Sequence, residues 1–258
     1  LIGLLFFCLV GLFLLKPQAN TIDLNSRLQG PSFTRPCGTD SLGRCVFSRS
    51  LIGTLTSVSA GITALCLTLG IGVSLGILAG SGPKLCDTLI MMLTDIVLAF
   101  PILLLAISLT SLLGASLLSC ILGVSLAGWA VWTRMARGMI ISTREKEYVQ
   151  AARVMGVRGM KLTFQYILPD LWPSIITAAC LHAGTLLVLI SGLSFLGFGS
   201  GPQHPELGSM MRDARMYLTT APWVLFGPGF MIIWCVSGFY VLGTGLRKHF
   251  QIRERFNW

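Results

Sequence analysis

Charge is what this sequence has least of. Only 11% of its 258 residues are Asp, Glu, Lys or Arg, while 53% are hydrophobic. A soluble domain carries about 25% charged residues, so a water-soluble globule is excluded. Disorder is excluded by the opposite argument, since it requires low hydrophobicity and high charge. Catalytic and nucleotide signatures are missing too. Residues 80–85 read GSGPKL and lack the GK[ST] ending of a phosphate-binding loop. No HExxH or CxxC string occurs, so no metal cage is written locally. Residues 192–195, GLSF, lack the second glycine of an intramembrane serine protease. Asp95 is the only acid well inside an apolar run, which leaves no aspartyl pair.

What the sequence has is long charge-free runs, at residues 50–83, 96–133, 171–205 and 216–246, with a shorter one at 1–15. A membrane-spanning helix needs about 20 apolar residues. The run at 96–133 is therefore too long for one crossing and is expected to turn at Gly114. This predicts six transmembrane helices, with spans at 86–110 and 115–133 flanking that turn. The first residue is Leu1 and the first run is short, so the sequence is expected to begin inside its first helix. Residues 1–48 would form that shortened helix and an extracytoplasmic loop. Residues 49–258 would form a core of five transmembrane helices. With the N-terminus inside, twelve of the nineteen Lys and Arg residues lie on the inner side, which favours N-in and C-in. The net charge of +9 then marks topology and lipid contact rather than nucleic-acid binding.

Five cysteines, Cys8, Cys66, Cys120, Cys180 and Cys235, lie within the runs and act as small hydrophobes. Cys37 and Cys45 fall in the outside loop and could pair in an oxidising compartment, which spacing alone leaves open. His182 sits mid-span, where an ionisable group suggests function. The alternative is a neutral imidazole hydrogen-bonded to a neighbouring helix. Gly72, Gly76 and Gly80 recur every four residues, a face suited to close helix packing. Asp95 and His182 are the candidates for the translocation path. The nearly neutral lining suits transient passage of a hydrated or zwitterionic solute.

The loop at 143–175 carries the most specific pattern, TREKEYVQAARVMGVRGMKLTFQYILPDLWPSI. Tyr148, Ala151, Ala152 and Met155 share one face of a short helix, with Glu145, Lys146, Gln150 and Arg153 on its other faces. Gly156 supplies a stop. A face built on two alanines lets another backbone approach closely, so a protein-docking helix is expected. A second amphipathic helix is expected in the outside loop at 199–222, with Leu207, Met210, Met211 and Ala214 as its stripe. Its polar side carries Arg212, Asp213 and Arg215.

The docking loop resembles the EAA loop of permease subunits in binding-protein-dependent ABC importers, through Glu147, Ala151, Ala152, Gly156, Leu168 and Pro169. PCGTDSLGRCVFSR at 36–49, DIVLAFP at 95–101, LSFLGFG at 193–199 and GSMMRDARMYLTTAPW at 208–223 are similar to the peptide/nickel branch. They match its subunit with the longer first outside loop. Cys45, Tyr166 and Thr244 depart from that branch's usual Asp, His and Asp.

The resemblance implies an all-α type I importer permease in the bacterial cytoplasmic membrane, with an EAA coupling loop at about 138–168. The chain would be a transport subunit rather than an enzyme and would bind no cofactor, with ATP and Mg held by partner ATPases. Its partners would be a second related permease, two cytoplasmic ATPases, an extracytoplasmic substrate-binding protein and membrane lipid. Glu147, Tyr148, Ala151, Ala152, Arg153, Met155 and Gly156 would couple to the ATPase. Leu207, Met211, Arg212 and Arg215 would contact the binding protein or form an outer gate. The cargo would be nickel or a metal chelate, with a di- or oligopeptide as the alternative. His182, Cys180, the methionines and Gly192 lean toward metal. An ATP-independent channel or secondary transporter is the competing class.

Overall fold

Ser and Thr are abundant in the apolar run at 50–83, yet it stays helical because their hydroxyls bond back to the preceding turn. Thr54 Oγ1 donates to the Ser50 carbonyl at 2.8 Å and Thr68 Oγ1 to that of Ala64 at 2.6 Å. Helix α1 (Val46–Ser81) runs 36 residues and stops where Gly82 and Pro83 follow. The computed structural model describes residues 19–201 and 203–255. The helix expected over 1–15 lies outside the described residues.

Beyond α1 come α2 (Lys84–Leu98) and α3 (Ile102–Leu113), then α4 (Leu117–Arg144) and the short α5 (Glu147–Val154). Helix α6 (Gly159–Phe195) follows, with a π-helical turn at Thr163–Ile167. Helices α7 (Leu207–Ala214) and α8 (Trp223–Arg255) complete the order. Among the described residues, α1, α4, α6 and residues 223–250 of α8 are each long and apolar enough to cross a membrane. Together α2 and α3 make up to a fifth.

The span expected at 86–110 is not one straight helix. Its two halves, α2 and α3, meet at 90°. Pro101 is the cause: it has no N–H to donate and biases the preceding residue away from helix, so α2 ends at Leu98. The expected turn at Gly114 is present. Its φ of +85° suits a residue without Cβ, and Ser116 then caps α4 by accepting from the Ser119 N–H at 3.0 Å.

The glycine face of α1 packs on α4 within the chain. A Cβ on Gly72 would sit 2.5 Å from that of Trp132, and one on Gly76 2.6 Å from that of Ala136. A Cβ on Gly80 would meet Ile140 Cγ2 at 2.9 Å. Only hydrogen fits at these positions, and the two backbones close together because of it. Around this crossing lie two apolar clusters. Val124, Leu186, Ile190 and Leu193 fill one, and Trp132, Ile140, Ile167 and Leu171 the other.

At the opposite end, the loop before α1 is tied down by charge. Asp40 takes Arg44 Nε at 2.7 Å, with Arg49 Nε at 3.8 Å, and Arg49 Nη1 donates to the Ala19 carbonyl at 3.3 Å. In the same loop Ser26, through its hydroxyl bond, leads the groups that hold the Asp23 carboxyl below its usual range. Cys37 and Cys45 are separate thiols, and burial pushes the Cys37 thiol up.

Candidate functional site

Helix α5 buries two residues against its own chain, and the rest of it is exposed. Val149 and Ala152 are completely buried, in the same apolar cluster as Trp132, Leu162 and Ile167. Glu147 sits in the first turn and Arg153 in the last, each at the helix end whose dipole favours its charge. The helix ends in a Schellman arrangement. The Val157 N–H bonds the Ala152 carbonyl and the Gly156 N–H that of Arg153, both at 3.1 Å. Gly156 has φ of +92°, the left-handed region in which glycine carries no penalty.

This corrects the expected docking face. Tyr148, Ala151 and Met155 are exposed as anticipated, but Ala152 faces inward and cannot meet a partner. The outward apolar set is Tyr148, Ala151, Val154 and Met155, with Val154 88% and Met155 74% exposed. The i, i+3, i+4 pattern spans both the outward set and Ala152, so the pattern could not tell which edge the chain itself covers.

Asp170 is the residue that sequence reading missed. Its carboxylate accepts Lys146 Nζ at 2.7 Å and Thr143 Oγ1 at 3.5 Å, which ties the start of α5 to α6. Burial first, and then Asp170, push the Tyr148 phenol up to about 12. The available signal was an acid directly after the Leu168–Pro169 pair, where α6 resumes regular helix past its π-helical turn.

Of the two path candidates, Asp95 pairs with Arg134 on the neighbouring α4. One helical turn further along α4, Arg137 grips Asp87 with two bonds, 2.5 and 2.7 Å. His182 does not make the interhelical hydrogen bond expected of it. Its ring stands edge-on to Trp132, centroids 5.5 Å apart, and its Nε2 is buried without a partner. The two path candidates are thus held by different neighbours, Arg134 and Trp132. Among the described residues, no three His, Cys, Asp or Glu side chains gather as a metal site.

In the loop expected to lie outside, α7 forms as expected, but Leu207 is completely buried with Leu51 and Met231, and its N–H donates to Ser57 Oγ at 3.1 Å. Leu207 therefore anchors the helix and offers no surface to a partner. Met211 and Arg212 are half-buried, Arg212 bonds Asp213 at 3.1 Å, and Arg215 is exposed. Glu206, also missed from sequence, is fully buried and accepts the Ser200 N–H and hydroxyl at 3.1 and 3.0 Å, closing the loop before α7.

Residues 72–255 match the family described as binding-protein-dependent transport system inner membrane component. The dipeptide transport system permease protein of Alkalihalophilus pseudofirmus is 38% identical over 86% of this chain and 73% of its own length. The glutathione transport system permease protein of Pectobacterium atrosepticum is 36% identical, over 88% and 76%. The nickel transport system permease protein of Escherichia coli K12 is 35% identical, over 90% and 83%. The fold is similar to a chain of the inward-facing MetNI methionine ABC transporter, with TM-score 0.61, 17% identity, and coverage of 79% of this chain and 95% of that one.

Proposed function

This chain belongs to the inner membrane components of binding-protein-dependent transport systems, and on that premise we propose how it works as a permease of the peptide/nickel branch of ABC importers. It lies in the bacterial cytoplasmic membrane with both ends inside. It pairs with a second, related permease. Two cytoplasmic ATPases supply the driving force, holding the ATP and Mg, and an extracytoplasmic binding protein delivers the solute.

The observation that carries this reading is α5. It is a short helix fixed by Val149, Ala152 and the Lys146–Asp170 pair, with an apolar edge of Tyr148, Ala151, Val154 and Met155 turned outward. Such an edge on the inner side fits a cleft in an ATPase, with Glu147 and Arg153 on its flanks. Because α5 is fixed to α4 and α6, movement of the docked ATPase would be passed to the spans as a rigid push. Alternating access then follows from nucleotide binding one conformation better than the other. Arg212 on α7 and Arg215 just beyond its end would meet the binding protein.

The cargo is a small di- or oligopeptide, glutathione-like peptides included, or nickel and its chelates. The relatives named for dipeptide, glutathione and nickel support both readings. His182, which leans toward metal, has its ring packed on Trp132. The test is uptake of labelled nickel and of a labelled dipeptide in cells with and without the gene. Loss of one uptake assigns that cargo. Loss of neither refutes both.

A further inference from the structure

Two ion pairs lie side by side on α2 and α4, and they differ in a way that packing alone does not explain. Asp87 and Arg137 are 26% and 30% exposed and joined by two bonds. Asp87 stands in the first turn of α2, where the dipole favours a carboxylate. That pair is a clamp. Asp95 and Arg134 are 61% and 53% exposed and joined through a single guanidinium nitrogen. Asp95 stands in the last turn of α2, where the dipole opposes a carboxylate. An exposed, singly bonded pair contributes little to stability, so little is lost when another charge takes one of its members.

Charges at membrane depth do not face lipid. Three residues after Asp95 the helix ends, and Phe100 and Pro101 in the break that follows are exposed. Non-helical backbone at such depth belongs against protein or a water-filled cavity. Beside the break lies a groove of about 660 Å³ lined by Asp87, Thr88, Met91, Met92, Asp95 and Arg137. We propose that this α2–α4 groove faces the water-filled passage, and that the exchangeable Asp95–Arg134 pair at its edge is a contact station for a small zwitterionic solute. The solute's ammonium takes Asp95 and its carboxylate takes Arg134, while Asp87–Arg137 keeps the two helices in register. This rests on the transport reading above and narrows it to solutes carrying both charges. Met91 and Met92 give the groove an adaptable apolar wall for the part of the solute between its charges.

Two measurements on the assembled importer test it. In a chain whose own cysteines are replaced by serine or alanine, Thr88→Cys and Met92→Cys are treated with a trimethylammonium methanethiosulfonate in inside-out vesicles. Ile233→Cys on the apolar outer face of α8 is the reference. The expected result is reaction at least tenfold faster at 88 and 92 than at 233. Rates as slow as the reference mean that protein or lipid covers the groove, which overturns the proposal. Second, the double exchange Asp95→Arg with Arg134→Asp keeps a neutral pair but reverses its polarity. Assembly and ATP hydrolysis should stay near wild type, while uptake of labelled alanyl-alanine falls at least tenfold. Wild-type uptake in the exchanged protein makes the pair merely structural and overturns the contact. So does a wild-type importer that carries nickel and not alanyl-alanine. If the wild type carries neither, the transport reading fails, and the labelling rates still decide which way the groove faces.

Discussion

Adding a single carbon at residue 76 should weaken this protein more than its chemistry suggests. Glycine to alanine inside a helix ordinarily favours the helix by about 1 kcal/mol. At Gly70, where a Cβ meets nothing within 4 Å, that gain should appear in full. At Gly76 the same Cβ would lie 2.6 Å from Ala136 Cβ and 2.9 Å from the Thr133 carbonyl. Neither is a flexible chain end that could swing aside. Helices α1 and α4 would have to separate by roughly 1 Å, forfeiting a quarter to a half of the dispersion energy along the crossing. Overpacking of this kind costs about 1–3 kcal/mol, so Gly76→Ala should be destabilising while Gly70→Ala is neutral or stabilising. Unfolding of the purified protein in bicelles by titrated sodium dodecyl sulfate, read by tryptophan fluorescence, compares the two. Ala136→Gly added to Gly76→Ala should restore part of the loss, and only part, because the Thr133 carbonyl remains. Gly76→Ala behaving like Gly70→Ala would refute the close crossing.

The remaining predictions concern α5. Ala151→Arg, on the outward edge, should abolish ATP-driven uptake while leaving membrane insertion and thermal stability unchanged. Ala152→Arg buries a charge among Val149, Leu162 and Ile167 and should lower the amount of folded protein in the membrane, seen by immunoblot of membrane fractions. Gly156→Asn should keep uptake and Gly156→Val should lose it, since φ of +92° strains a β-branched residue most. Asp170→Asn releases Lys146 and should cut uptake per ATP hydrolysed in proteoliposomes, with ATPase binding retained in a pull-down.

Much of this architecture is legible in the sequence for a simple reason. Lipid excludes charge, so where Asp, Glu, Lys and Arg are absent the chain crosses, and Gly114 within the longest run turns it. The helix α5 and its stop at Gly156 follow from local rules of the same kind, because a Schellman end needs only glycine in the right place. Its outward edge does not follow from them. Tyr148, Ala151, Ala152 and Met155 satisfy one helical period equally well, and only the cluster around Trp132 decides that Ala152 is covered and Val154 is not. Leu207 shows the same limit: an amphipathic stripe says that a face is buried without saying under what.

The sequence by itself therefore determined that this is a polytopic helical membrane protein, which short motif resembles an ATPase-docking loop, and which family the chain resembles. Those are statements about composition and about residues close together in the chain. The tertiary structure alone decided that Asp95 finds Arg134 and Asp87 finds Arg137, and that His182 lies against Trp132. Each of these depends on how two helices cross. A crossing is set by the shapes of both partners, here glycine hydrogens against Trp132, Ala136 and Ile140, which no single segment of sequence contains.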